Sequence, residues 1–229
     1  MPEKTIKLSP NSLDLFLECA RCFWLDKKAG IKRPVIFSYS LNTSLDQLMQ
    51  EEFDAYRQKG FLPPFLEQKN IKATLFSNQK LLNAWRDSKE GITYYDKNSK
   101  AELFGILDDI LEFSDGNLAV LDYKSTGENI AKIYDRFQLQ LDSYTFLLEK
   151  NGYKTKKKAY LAFYAIDGSG GFIDRLPFQK KIIEVKTNPV EVEDIFKDAV
   201  KCLRETVSMD HSHDCIFGKW LAKVKNFMV

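Results

Sequence analysis

Asp108, Asp122 and Lys124 are the residues whose types and spacing could do chemistry. They lie in GILDDILEFSDGNLAVLDYKS, residues 105–125. Asp108 stands in one short apolar run, and Asp122 and Lys124 stand two apart in a second. Between the runs, Asp115-Gly116 is a strong hairpin turn signal. Side chains alternate along a strand, so Asp122 and Lys124 share one face and Tyr123 points into the opposite layer. Asp108 and Asp122 flank the turn at 114–117 almost symmetrically, which makes them neighbours across the ladder or slightly offset. Two carboxylates that close repel each other unless a cation joins them. Hard oxygen donors in a chain with only two histidines favour Mg²⁺ or Mn²⁺ over zinc. Such an ion polarises a phosphate oxygen and activates a water. Lys124 would orient that water, stabilise the pentavalent transition state by its charge, or serve as base. The competing reading is an ion network around a turn, for which Asp-x-Lys alone suffices.

The elements that position these residues follow from hydrophobic period. Ser9-Pro10 reads as the N-cap and first position of a helix with Leu13, Phe16, Leu17 and Ala20 on one face. Residues 42–58 form a second amphipathic helix, with Leu45, Leu48, Met49 and Phe53 apolar. Further helix is expected near 78–88, after the Leu62-Pro63-Pro64 loop. From about residue 91 the period becomes alternating, and strands are expected at 92–97, 101–113 and 117–124. Residues 130–150 return to helical spacing, ended by Gly152. KAYLAFYAI, 158–166, is apolar throughout, as in a strand buried on both faces. Strands follow near 172–178 and 181–186. Asn188-Pro189 with Glu191 reads as the capped start of a last helix to about 207. The order predicts an α/β chain with a mixed sheet carrying helices on its faces. One domain spans 1–229: a helical extension over about 1–90, a catalytic core over about 91–187, and a C-terminal helix and tail over 188–229.

Composition bounds the rest. With 229 residues, 44% hydrophobic and 29% charged, the chain is of ordinary globular composition. No run approaches the roughly 20 apolar residues of a membrane span, and MPEKTIKLSP has no apolar signal region. A soluble, cytoplasmic protein is expected, with no membrane partner. A net charge of +2 excludes a general polycation. Nucleic-acid contacts would have to come from local clusters: Lys27, Lys28, Lys32 and Arg33, or Lys154, Lys156, Lys157 and Lys158. Each cluster reads equally as solvated loop charge. Of the four cysteines, Cys19 and Cys22 have metal-ligand spacing, while Cys202 and Cys215 are isolated.

The pair GILDDI and LDYKS, followed by FQLQLDSYTFLLE, resembles the PD-(D/E)XK nuclease superfamily in its RecB-like branch. That branch shows a G-x-x-D strand, a D-x-K strand and then a helix bearing Q-L-x-x-Y. Here these are Gly105 with Asp108, Asp122 with Lys124, and Gln140-Leu141 with Tyr144. SPNSLDLFLECARCFWL is similar to the family's opening helix. The resemblance implies a restriction-endonuclease-like fold, a mixed central sheet flanked by helices, with an N-terminal helical extension. It implies a Mg²⁺- or Mn²⁺-dependent deoxyribonuclease in repair, recombination or defence, with DNA as substrate and a protein partner conceivable. Asp108, Asp122 and the backbone carbonyl of Tyr123 would hold the metal, and Lys124 would assist the water. Gln140 and Tyr144 would position the DNA or the catalytic residues, with Lys156 and Lys157 on phosphates. The rival is a catalytically inactive nuclease-like module that binds DNA or protein.

Two departures from the family stand out. The histidine many relatives carry on an N-terminal helix is absent from 42–58, where Asp46, Gln47, Gln50 or Glu51 would have to substitute. Several relatives also hold a [4Fe–4S] cluster with one N-terminal and three C-terminal cysteines. Here Cys19 and Cys215 match, but Gly218 stands where the next C-x-x-C cysteine belongs. The expectation is therefore a degenerate remnant without a cluster. By count, Cys19, Cys22, Cys202 and Cys215 could still hold iron. Equally, Cys19, Cys22 and Cys215 with His211 or His213 could hold zinc.

Overall fold

The computed structural model describes residues 5–34, 40–127, 135–171, 176–206 and 209–225. The chain forms two compact units. One comprises Met1–Ser38, Tyr95–Leu103 and Val190–Val229, and the other Tyr39–Tyr94 and Phe104–Pro189.

In the first unit, β1 (Ile6–Leu8) runs parallel to β4 (Ala101–Gly105), pairing Ile6 with Ala101 and Leu8 with Leu103. Beside β4 in a three-stranded sheet lies β3 (Ile92–Asp96), of which Tyr95 and Asp96 belong to this unit. Helix α1 (Pro10–Glu18) starts at a capping box, with Ser9 and Ser12 each receiving the other's backbone N–H. The expected single opening helix breaks at Cys19. Its backbone is extended there (φ −160°), and α2 (Ala20–Lys27) begins afresh. Leu17 is consequently exposed rather than part of a continuous apolar face. The last long helix is α7 (Val192–Arg204), which packs on α1 and α2 through Val192, Phe196, Ala199, Val200 and Leu203. A 3-10 turn at Pro189–Glu191 leads in, and Glu191 makes no side-chain cap bond. A further helix, α8 (Ile216–Lys225), is not apparent from hydrophobic period because none of its residues is buried.

The second unit is built on a five-stranded sheet in the order β2-β5-β6-β7-β8. The strands are β2 (Ala73–Leu75), β5 (Asp109–Phe113), β6 (Leu118–Thr126), β7 (Lys158–Ile166) and β8 (Phe178–Lys186). Only β6 and β7 are parallel. Between those two lies α6 (Asp135–Lys150), the crossover helix that a parallel pair requires. The other face carries α3 (Ser40–Lys59) and α4 (Pro64–Glu67). There Met49, Phe53 and Leu66 pack against Leu111, Leu121, Tyr123, Tyr160, Ala162 and Tyr164. Leu48, expected on the apolar face of α3, is 59% exposed. Helix α5 (Gln79–Arg86) starts on Asn78, whose side chain accepts from the Leu81 N–H at 3.0 Å.

Two strand expectations are corrected. The run 101–113 is not one strand. It divides at Ile106-Leu107-Asp108 into β4 and β5, which belong to different sheets. The division follows from Leu107, whose N–H leaves the ladder for the Trp85 carbonyl at 3.1 Å. The two strands expected at 172–178 and 181–186 are replaced by the unbroken β8, paired with β7 from Lys186 to Phe178. Residues 172–175 of the first, and 130–134 of the expected helix 130–150, lie outside the described residues. Among the described residues no helix is long and apolar enough to cross a membrane.

Candidate active site

Strand β6 divides its residues between two layers. Leu121 and Tyr123 enter the core under α3, while Asp122 and Lys124 point to the α6 side. The β5–β6 register sets Asp109 opposite Leu121, which brings Asp108, one residue before β5, alongside Asp122. Asp108 is fixed there by the Tyr123 backbone N–H, which donates to its Oδ2 at 2.9 Å. The two carboxyls are buried and near enough for each to perturb the other's ionisation. Lys124 forms an ion pair with Asp122 Oδ2 and donates to Gln140 Oε1 at 3.0 Å. Gln140 Nε2 donates in turn to the Tyr144 hydroxyl at 3.0 Å. Gln140 and Tyr144 are one helical turn apart on α6, so one face of that helix supplies both. The Lys124 ammonium also lies 5.0 Å from the centre of the Phe137 ring.

Close approach of α6 depends on Gly105. A Cβ there would come within 2.7 Å of Leu147 Cδ1 and 3.1 Å of the Tyr144 ring. The glycine three residues before Asp108 thus serves packing of the helix that carries Gln140 and Tyr144.

Electrostatics of the pair are those of two carboxyls crowded together out of water. Burial, followed by the charge of Asp122, pushes Asp108 up to about 8. Burial raises Asp122 too, with the Lys124 charge opposing. Burial and both carboxylates raise the Tyr144 phenol. Asp46 at the start of α3 also feels this site. Desolvation raises it, Lys124 pulls it down and Asp122 pushes it up. Of the four α3 residues considered in place of a histidine, Asp46 is the one so coupled, while Gln47 donates to Glu51 at 3.0 Å. Asp46 does not close with Asp108 and Asp122 into a tight three-carboxylate group among the described residues.

A second layer beneath the pair escapes sequence reasoning. Asp109 is fully buried and ion-pairs with Arg57 and, at 3.2 Å, with Arg86. Asp54 bridges the same two arginines. The Tyr123 hydroxyl donates to Asp109 Oδ2 at 2.5 Å, and Arg86 Nε donates to the Asp108 carbonyl at 2.7 Å. The available signal is the Asp108-Asp109 dipeptide. In a strand one of two adjacent carboxylates must face the core, where it needs cations.

Lys156 and Lys157 are not brought to the carboxyl pair. They precede β7 near the β5–β6 turn, bound to Asp115 at 2.5 Å and to Glu149 at 2.6 Å. Lys158 is bound to Glu184 at 2.8 Å. In the other basic cluster Lys27 pairs with Asp26 and Arg33 with Glu18. Cys19, Cys22 and Cys215 lie together in the first unit with His211, whereas the His213 side chain is 95% exposed.

Comparison with known proteins fits this geometry. Residues 38–215 match the PD-(D/E)XK nuclease superfamily, a span that includes Asp108, Asp122, Lys124, Gln140 and Tyr144. Over 143 residues the chain is 27% identical to one of the subunits of an ATP-dependent helicase/nuclease from Clostridium botulinum (strain Okra / Type B1). That match covers 56% of this chain and only 11% of the relative's length. A solved structure titled "Crystal structure of SSO0001" aligns with a TM-score of 0.45 at 12% identity, over 92% of this chain and 82% of the other. The mixed sheet flanked by helices is consistent with the restriction-endonuclease-like fold, and the chain belongs to the PD-(D/E)XK nuclease superfamily.

Proposed function

We propose that this chain is a divalent-metal-dependent deoxyribonuclease of RecB-like type. The observation that carries the reading is the side-by-side placement of Asp108 and Asp122 with Lys124 bound to one of them. Two carboxyls crowded together out of water, one of them favouring its protonated form, fit a hard dication, whose charge would release that proton. The donor set is all oxygen: Asp108, Asp122 and the Tyr123 backbone carbonyl. A Mg²⁺ or Mn²⁺ ion bound there would supply Lewis acidity and an activated water.

The chain's own residues do the rest. Lys124, held by Asp122 and Gln140, places a positive charge where a phosphorane would build negative charge. Gln140 fixes the direction of that ammonium, and Tyr144 fixes Gln140. Lys156 and Lys157 would contribute by exchanging Asp115 and Glu149 for phosphates of a strand running past the site. The match to a relative named as a helicase/nuclease subunit supports nuclease action alongside a protein partner; on this reading the setting is DNA repair, recombination or defence.

The test is cleavage of single- and double-stranded DNA by purified protein with Mg²⁺, Mn²⁺ or EDTA. Cleavage with either metal, lost in EDTA and in Asp122→Asn, is expected. Cleavage that survives EDTA overturns the mechanism. The second reading, an inactive nuclease-like module, is favoured by the absence from residues 42–58 of the histidine many relatives carry there. DNA binding without cleavage under either metal would establish it.

A further inference from the structure

We propose that Cys19, Cys22, His211 and Cys215 form a structural zinc site in the first unit, independent of the proposed nuclease centre.

The four donor atoms all lie within 4.8 Å of one another. His211 Nδ1 is 3.5 Å from Cys19 Sγ, 3.6 Å from Cys22 Sγ and 3.6 Å from Cys215 Sγ. Cys22 Sγ and Cys215 Sγ are 3.6 Å apart. With Zn–S near 2.3 Å and Zn–N near 2.0–2.1 Å, a tetrahedron has S···N edges of about 3.6 Å and S···S edges of about 3.8 Å. Four of the six edges are therefore those of a zinc tetrahedron, and the other two are within 4.8 Å. A four-iron cluster carries its ligands on the outer corners of a cube, wider apart than this group. It also prefers four thiolates, and one donor here is an imidazole.

The three thiols are buried side by side. Cys19, Cys22 and Cys215 are 0%, 4% and 2% exposed. Cys215 Sγ accepts the Gly218 N–H at 3.3 Å. That sulfur thus receives an N–H from three residues on, which stabilises negative sulfur and aims it. Three thiolates and Zn²⁺ leave one negative charge, and Arg33 NH2 lies 3.9 Å from Cys215 Sγ.

Local structure explains why these four meet. The helix break at Cys19 frees its side chain to turn back beside Cys22. Gly218, the position that spoils a C-x-x-C reading, is where a Cβ would strike His211 Cβ at 2.6 Å and Cγ at 2.7 Å. A cysteine there would displace the histidine, so the glycine and the imidazole belong together. Cys202 stays outside the group, its sulfur 4.0 Å from the Ala20 carbonyl. The site would join residues 19–22 to residues 211–215.

Metal analysis of the full chain, purified under reductant, tests this. One zinc per chain is expected, with no acid-labile sulfide. Cys202→Ser and Asp122→Asn should keep the zinc, whereas His211→Ala and Cys215→Ser should retain less than a tenth of it. Co²⁺ added to the metal-free wild type should give a thiolate charge-transfer band and tetrahedral d–d bands, a readout that does not depend on variants folding. Overturning results are a wild type that takes up neither Zn²⁺ nor Co²⁺ at this site, iron with sulfide in its place, or full zinc content in Cys215→Ser.

Discussion

Arg86 Nε donates to the Asp108 carbonyl at 2.7 Å while its terminal nitrogens hold Asp54 and Asp109. One side chain therefore ties the backbone of a proposed metal ligand to a buried ion network. Removing half of a buried pair leaves a charge unpaired, at a cost of about 3–5 kcal/mol. For Arg86→Met a loss of roughly 3 kcal/mol is expected, at the low end because Arg57 still holds Asp109. Urea unfolding measures it, and a change under about 1 kcal/mol would show that the network does little for the fold. Tyr123→Phe should cost only about 1 kcal/mol, the worth of one hydrogen bond.

Acidity gives a second expectation. In the metal-free chain Asp108 sits at about 8, against an ordinary 3.8, because burial and Asp122 favour its protonated form. The folded state thus binds a proton that the unfolded chain releases. The resulting stabilisation is complete below about pH 4, declines as pH rises and is gone above about pH 8. Melting temperature in EDTA should fall between about pH 4 and pH 8, and Asp108→Asn should flatten that slope. Because metal must displace the proton, Mn²⁺ affinity should rise over the same interval, as titration calorimetry would record.

Gly105→Ala tests the packing of α6. The added methyl meets Leu147 Cδ1 at 2.7 Å in a fully buried setting. Overpacking of this kind costs about 1–3 kcal/mol, and the displaced Tyr144 should lower cleavage together with thermal stability. Unchanged melting and activity would mean that Leu147 has room to turn aside.

Gln140→Leu removes the acceptor that aims Lys124 while keeping the helix. Supporting residues around a metal site typically contribute about 10–100-fold to activity, and a loss in that range is expected at unchanged melting temperature. Tyr144→Phe, one contact further out, should have a smaller effect. Equal losses from both would place Tyr144 on the substrate instead. Single-turnover cleavage rates separate these outcomes.

The local parts of this arrangement are legible in the sequence. Asp115-Gly116 announces the hairpin, and alternation on β6 assigns Asp122 and Lys124 to one face. KAYLAFYAI carries the length and double burial of β7. Features built by distant residues are not legible. Nothing in the spacing of Arg57 and Arg86 says that both meet at Asp109, and α8 buries no side chain that could set a period. The break between β4 and β5 is also hidden, because an apolar run does not reveal which sheet each half joins. The departures of the cysteine set are visible in the sequence. Only the positions of His211 and Gly218 give them a physical meaning.

The two halves of the site also differ in how far the chain must travel to build them. Asp108 and the Tyr123 N–H meet across 15 residues and a tight turn. Arg57 reaches Asp109 across 52 residues. Contacts of short separation close fast and those of long separation close late. The hairpin should therefore bring the two acidic groups together before the arginines from α3 and α5 arrive beneath them. During that interval the folding chain presents its most self-repelling feature with least support, and slow steps in refolding should be sensitive to divalent cations and to pH.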